Sequence, residues 1–135
     1  MKSWHEMKDE FHGDRSHKYL YIKDISPETW NKVIDLIRCS GYELEFSHGN
    51  KIIELPYTIS EIKLLQEIDS TCLKIWLDET ISINCYFLKN TEVEMELSSH
   101  AIATESDYIL LTSFLDWLSK STNKRVNITQ NTKQK

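Results

Sequence analysis

Glycine and proline are scarce in this chain of 135 residues, with three of the first and two of the second. So few glycines exclude a glycine-rich phosphate cradle, which needs several close together. They and the prolines stand at the ends of patterned segments or in the N-terminal stretch, so no linker is marked and one domain over residues 1–135 is expected. No apolar run approaches the roughly 18 residues of a membrane span. Met1 to Gly13 mixes charge with single apolar residues, and no secretory signal is expected there. Cysteine is limited to Cys39, Cys72 and Cys85, an odd number without C-x-x-C spacing. That usage suits reduced thiols in the cytoplasm, with Cys72 and Cys85 as small core hydrophobes. The Asn127-Ile128-Thr129 sequon then carries no glycan. G-x-S-x-G and H-E-x-x-H are also missing, so no catalytic residue and no cofactor is expected.

Acidic residues are missing after Asp116, where Lys120, Lys124, Arg125, Lys133 and Lys135 follow. The formal charge is −5, but without those five cations 11 bases face 21 acids, a balance of −10. An acidic body disfavours nucleic acid, whose phosphates need cations, and favours a basic partner.

The strongest pattern runs from Cys72 to Leu97. Leu73, Ile75 and Leu77, then Ile81, Ile83, Cys85 and Phe87, then Val93, Met95 and Leu97 alternate with polar or aromatic residues. Polar breaks at Asp78-Glu79-Thr80 and Lys89-Asn90-Thr91 divide it into an antiparallel meander with one buried face. Upstream, residues 1–17 read as an arm or irregular lead-in, and Tyr19-Leu20-Tyr21-Ile22 as a strand. Ser26-Pro27-Glu28 starts a helix carrying Trp30, Val33, Ile34 and Ile37, closed by Ser40-Gly41. Tyr42, Leu44 and Phe46, with Lys51 to Leu55, predict a hairpin ended by Pro56. Thr58-Ile59-Ser60-Glu61 is a capping box before a short helix with Ile62, Leu65 and Ile68. Thr104 and Asp107 cap a third helix with Tyr108, Leu111, Phe114, Leu115 and Leu118 inward. Arg125 to Thr129 is a last strand and 130–135 a flexible tail. The expected class is α+β, a two-layer sandwich of an antiparallel or mixed sheet with about three helices on one face.

Histidines 5, 12, 17, 48 and 100, with Asp14 near two of them, lack the tight ligand pairs of zinc sites, and no metal is expected. Parity against the aliphatic side places Glu92, Glu94 and Glu96 outward, together with Trp76, Tyr86, Tyr19 and Tyr21. The same argument turns Glu43, Glu45 and Glu54 outward. These residues form either an ordinary solvated sheet face or an acidic recognition face with aromatic anchors. Acid–base catalysis by the glutamates is not expected, because an open sheet does not raise a carboxyl pKa as burial does.

The runs Phe11-His12-Gly13-Asp14, Ile83-Asn84-Cys85-Tyr86-Phe87, Glu92 to Leu97 and Phe114 through Thr129 resemble a group of small uncharacterised bacterial proteins. Some of those resemble immunity proteins, which neutralise toxins delivered between competing cells. The chain departs from that pattern at Arg15, where glycine is usual, and at Met95, which interrupts an acidic strand that often bears phenylalanine. The resemblance implies a binding role and carries no catalytic residue. Joined to the charge pattern, it leads to the expectation of an immunity-type protein in the cytoplasm. Such a protein would occlude a basic toxin domain, a nuclease being one such class, through Glu43, Glu45, Trp76, Tyr86, Glu92, Glu94 and Glu96. The rival readings are a non-catalytic small-molecule sensor, with a pocket between helices and sheet, and a structural protein that oligomerises through a sheet edge.

Overall fold

The computed structural model describes residues 2–13 and 17–129. Its elements in order are α1 (Trp4–Gly13), β1 (Lys18–Lys23), α2 (Pro27–Arg38), β2 (Glu43–His48), β3 (Lys51–Ile53) and α3 (Ile59–Gln66). Then come β4 (Thr71–Trp76), β5 (Ser82–Cys85), β6 (Glu92–Leu97), a short 3-10 turn (Ser99–Ala101), α4 (Glu105–Thr122) and β7 (Asn127–Thr129). The strands form one seven-stranded sheet in the order β3-β2-β4-β5-β6-β1-β7. Every pairing is antiparallel. The fold is therefore α+β, with four helices against a fully antiparallel sheet. Among the described residues no helix is long and apolar enough to cross a membrane.

Register carries the alternation across the sheet. Leu73 stands opposite Phe46 on one side and Cys85 on the other, and Ile75 opposite Leu44 and Ile83. Met95 links Cys85 to Leu20, and Leu20 pairs with Ile128. Along this inward parity Leu73, Ile75, Ile83, Cys85, Val93, Met95, Leu97, Leu20 and Ile22 are each at most 2% exposed. They meet Trp30, Val33, Ile34 and Ile37 of α2, Ile59 and Ile62 of α3, and Leu111, Phe114, Leu115 and Leu118 of α4. Burial of such aliphatic side chains contributes about 1.5–3 kcal/mol each.

Local sequence starts the helices where expected. The Ser26 hydroxyl accepts from the Thr29 N–H at 3.1 Å, and Thr58/Glu61 and Thr104/Asp107 form reciprocal capping boxes. Gly49 sits at φ +62° in the β2–β3 turn, where a Cβ would lie 2.4 Å from Asp69 Oδ2. The positive φ favours glycine there, and any Cβ would also displace the Asp69 side chain.

Several expectations need correction. The lead-in of residues 1–17 contains α1, begun by a Ser3-x-x-Glu6 cap in which the Ser3 N–H donates to Glu6 Oε1 at 2.9 Å. Its Met7 and Phe11 join the core, and Trp4 and Phe11 pack on Tyr108 at ring separations of 5.6 and 6.0 Å. Apolar residues three or four apart within a charged stretch were the available signal. The strand expected to reach Leu55 stops at Ile53, since Leu55 turns inward while Arg38 donates to the Leu55 and Pro56 carbonyls. Ile68 lies beyond the end of α3 and is 80% exposed. The last strand begins at Asn127 rather than Arg125. Asp14, Arg15 and the 130–135 tail lie outside the described residues.

Two truncations test this core. Phe11→Ala should lower stability by about 3–5 kcal/mol and Leu115→Ala by about 2–5 kcal/mol, read as lower urea midpoints at unchanged slope. A midpoint unmoved by Phe11→Ala would detach α1 from the core.

Candidate functional site on the outer sheet face

Since the helix layer takes one parity of β1, β2, β4, β5 and β6, the other parity forms a face of its own, while β3 at the edge stays exposed on both sides. One transverse row reads Glu45, Lys74, Asn84, Glu96, Tyr19, Thr129 by direct register. A second places Trp76 between Glu43 and Ser82, and a third places Tyr21 between Glu94 and Asn127. Glu92 is opposite Lys23. The face thus gathers Glu43, Glu45, Trp76, Glu92, Glu94 and Glu96 as parity predicted. Glu54 does not join them, because it follows the end of β3.

The acids form two stripes rather than one patch. Those on β2 and those on β6 are three strand spacings apart, about 14 Å. Lys74 lies between them, its Nζ 5.5 Å from the centroid of the Trp76 ring. Beside Trp76 is a shallow hollow of about 480 Å³ whose lining includes Glu43, Asp78 and Glu79. Asp78 is held below the usual carboxylate range by N–H donors of Thr80 and Ile81, so part of its acceptor capacity is already used.

Glu96 is held by three side-chain partners. Its Oε2 meets His17 Nδ1 at 2.5 Å and accepts from the Tyr19 hydroxyl at 3.2 Å. Its Oε1 accepts from the Tyr86 hydroxyl at 3.0 Å. Partial burial pushes this carboxyl up, but donors at His17, Tyr86 and Tyr19 outweigh it, and the net pKa lies below the ordinary glutamate value. The same burial, with Glu96 adjacent, pushes the Tyr86 phenol up to about 12. Tyr19 is raised for the same two reasons.

Tyr86 reaches this position through an unusual backbone. It lies just past β5, and the next residue, Phe87, adopts φ +58°, a left-handed conformation that costs an aromatic residue about 1–3 kcal/mol. Phe87 buries its ring 5.3 Å from Trp30 and 6.1 Å from Phe46. Lys63 and Gln66 of α3 donate to its carbonyl at 2.7 and 3.0 Å. That grip holds the turn, leaving Tyr86 on the outer face and Leu88 56% exposed.

Sequence reasoning missed the Glu96 hub. Nothing local to His17 signals the contact, because its partner lies 79 residues away. Tyr21, read as an outward ring, is 6% exposed, with Lys23 Nζ 5.5 Å from its ring centroid. Neither sheet cysteine is activated: burial raises the Cys72 thiol and pushes Cys85 up to about 12. Among the described residues no group of three or more His, Cys, Asp or Glu is placed to hold a metal ion.

Together the fold and face define an α+β sandwich that offers one polar, aromatic sheet surface not used for helix packing. The chain matches no protein-family model and no curated protein.

The hub sets a pH dependence. A carboxyl with a lowered folded-state pKa stabilises the fold fully above its unfolded pKa, and the effect disappears as pH falls through the folded value. Glu96→Gln should therefore cost about 1 kcal/mol at pH 7 and progressively less in acid. Urea unfolding across a pH series reads this, and a wild-type-to-variant gap that did not shrink below the glutamate range would refute the assignment.

Proposed function

We propose that this chain is an immunity-type protein that binds and neutralises a basic toxin domain through its outer sheet face. The observation that carries the reading is the common placement of Glu43, Glu45, Glu92 and Glu94 with Trp76 and Tyr86 on one side of the sheet. The balance of −10 before residue 120 supports a basic partner. Exposed acids accelerate encounter with such a partner, whereas aromatic rings contribute most of the affinity once docked. The resemblance to small bacterial proteins of this kind supports the same class.

The geometry divides the labour among the acids. Glu96 is committed to His17, Tyr19 and Tyr86 and acts by fixing Tyr86, while Glu92 and Glu94 are the acids of β6 suited to steering. Trp76 anchors one side of the face and Tyr86 the centre. A toxin domain docked across both stripes has its basic groups occluded without any catalytic step by this chain.

Co-expression with the product of the neighbouring upstream gene, followed by a growth assay and binding kinetics, tests the proposal. Protection is expected from the wild type. Glu92→Lys with Glu94→Lys should slow association about tenfold at low salt, while Trp76→Ala should mainly speed dissociation. Undiminished protection and association by a folded double-lysine variant would remove β6 from the interface. A non-toxic neighbour that does not bind would remove the immunity reading.

A further inference from the structure

The two edges of the sheet differ in character. On β7 the one large apolar side chain, Ile128, is half-buried against the core, whereas β3 exposes Ile52 (62%) on one face and Ile53 (36%) on the other. Ile53 has the inward parity of its partner Phe46, which is only 2% exposed, so the apolar layer runs on past the helices to the sheet's limit. Of the eight large hydrophobic side chains exposed among the described residues, five fall between Ile52 and Ile68. Both ends of α3 are tied to this edge. His48 Nε2 meets the Leu65 carbonyl at 2.8 Å and Gly49 lies against Asp69, which brings Ile68 to the β2–β3 turn. The backbone of β3 has a free side as well. The Gly49 N–H donates to the Ser70 carbonyl at 2.8 Å, so the odd-numbered residues of β2 turn their backbone groups to β4 and the even-numbered ones to β3. Phe46 with Ile53 and His48 with Lys51 are then the hydrogen-bonded pairs, and Ile52, opposite Ser47, turns its N–H and C=O out of the sheet.

We infer that β3 pairs antiparallel with β3 of a second copy of this chain, about a twofold axis at Ile52. Chemistry selects that register. Pairing about Lys51 would oppose two ammonium groups, and pairing about Ile53 would set Ile52 against Glu54. Pairing about Ile52 sets apolar against apolar, lets the two Ile52 residues exchange both backbone hydrogen bonds, and places Asn50 opposite Glu54 of the second copy. Each Lys51 end then adjoins a Glu54 end, so unlike charges meet. A lysine on an edge strand ordinarily discourages such pairing, and here the antiparallel arrangement turns it to the partner's acid. The edge is short, with a contact area at the low end of the roughly 800 Å² per partner of a stable complex, so the dimer is weak. An axis perpendicular to the sheet joins the two seven-stranded sheets into one with both outer faces on the same side. The pairing is independent of any toxin partner.

Sedimentation equilibrium of the full chain from about 1 μM to about 1 mM, with amide exchange followed by NMR over the same range, tests the inference. The mass should rise from one chain to two with a midpoint of about 100 μM, and exchange of the Ile52 amide should slow in step with it. Ile52→Lys, which sets two cations on the axis, should weaken the dimer more than about tenfold at an unchanged urea midpoint. Glu54→Lys, which puts like charges at both ends, should weaken it about fivefold, whereas Ile109→Lys on the exposed side of α4 should leave it unchanged. A single-chain mass at every concentration would overturn the pairing and leave the edge to a strand of another protein. A dimer untouched by Ile52→Lys, or one whose Ile52 amide exchanges as in the single chain, would overturn it too. So would growth beyond two copies, since pairing about Ile52 closes on itself. No toxin domain is present in these measurements, so their failure leaves the outer-face proposal standing.

Discussion

The structure depends on one geometric constraint: successive side chains of a strand leave on opposite sides, and the helix layer covers one side of a seven-stranded sheet. Inward positions are then mostly apolar together, with Lys18 and Thr71 as buried exceptions, and a slip of one residue in any strand would exchange its two faces. Leu44, Leu73, Ile75, Ile83, Cys85, Met95 and Leu20 keep that parity through successive register pairs. The same constraint that builds the core therefore creates the outer face, because whatever alternates with the core residues is gathered there.

Alternation gathers residues but does not arrange them. The arrangement comes from two devices at the middle of the sheet. The strained Phe87, held by its aromatic neighbours and by Lys63 and Gln66, ends β5 early and leaves Tyr86 over the face. Glu96 then ties Tyr86 on one side to Tyr19 and His17 on the other, joining β6 to the residues around β1 and β5. A carboxylate with several donors is a poor reagent for proton transfer and a good strut. Its lowered pKa is a consequence of that saturation and says more about order than about chemistry.

Charge is polarised across the molecule. Acids dominate the outer face, in two stripes with Lys74 between them, while Lys2, Lys18 and Arg125 line one cavity beside α1 at the β1 and β7 end of the sheet. A formal charge of −5 conceals both poles. Lys18 is a local exception to the pattern, an inward lysine beside Glu10 and the Phe11 ring.

The sequence by itself determined the strands of the meander, the capped starts of α2, α3 and α4, and the part of the core that these elements supply. Period-two alternation and capping are local properties, readable within a few residues. It also placed Glu43, Glu45, Trp76, Glu92, Glu94 and Glu96 on one side, since parity needs only a shared sheet. The helix α1 was legible in Ser3-x-x-Glu6 and in the spacing of Met7 and Phe11, though charge around them masked it. Only the tertiary structure decided strand order, and with it the separation of the acids into two stripes and the meeting of His17 with Glu96. That pair is 79 residues apart in sequence, and no local periodicity encodes which distant strand lies beside which.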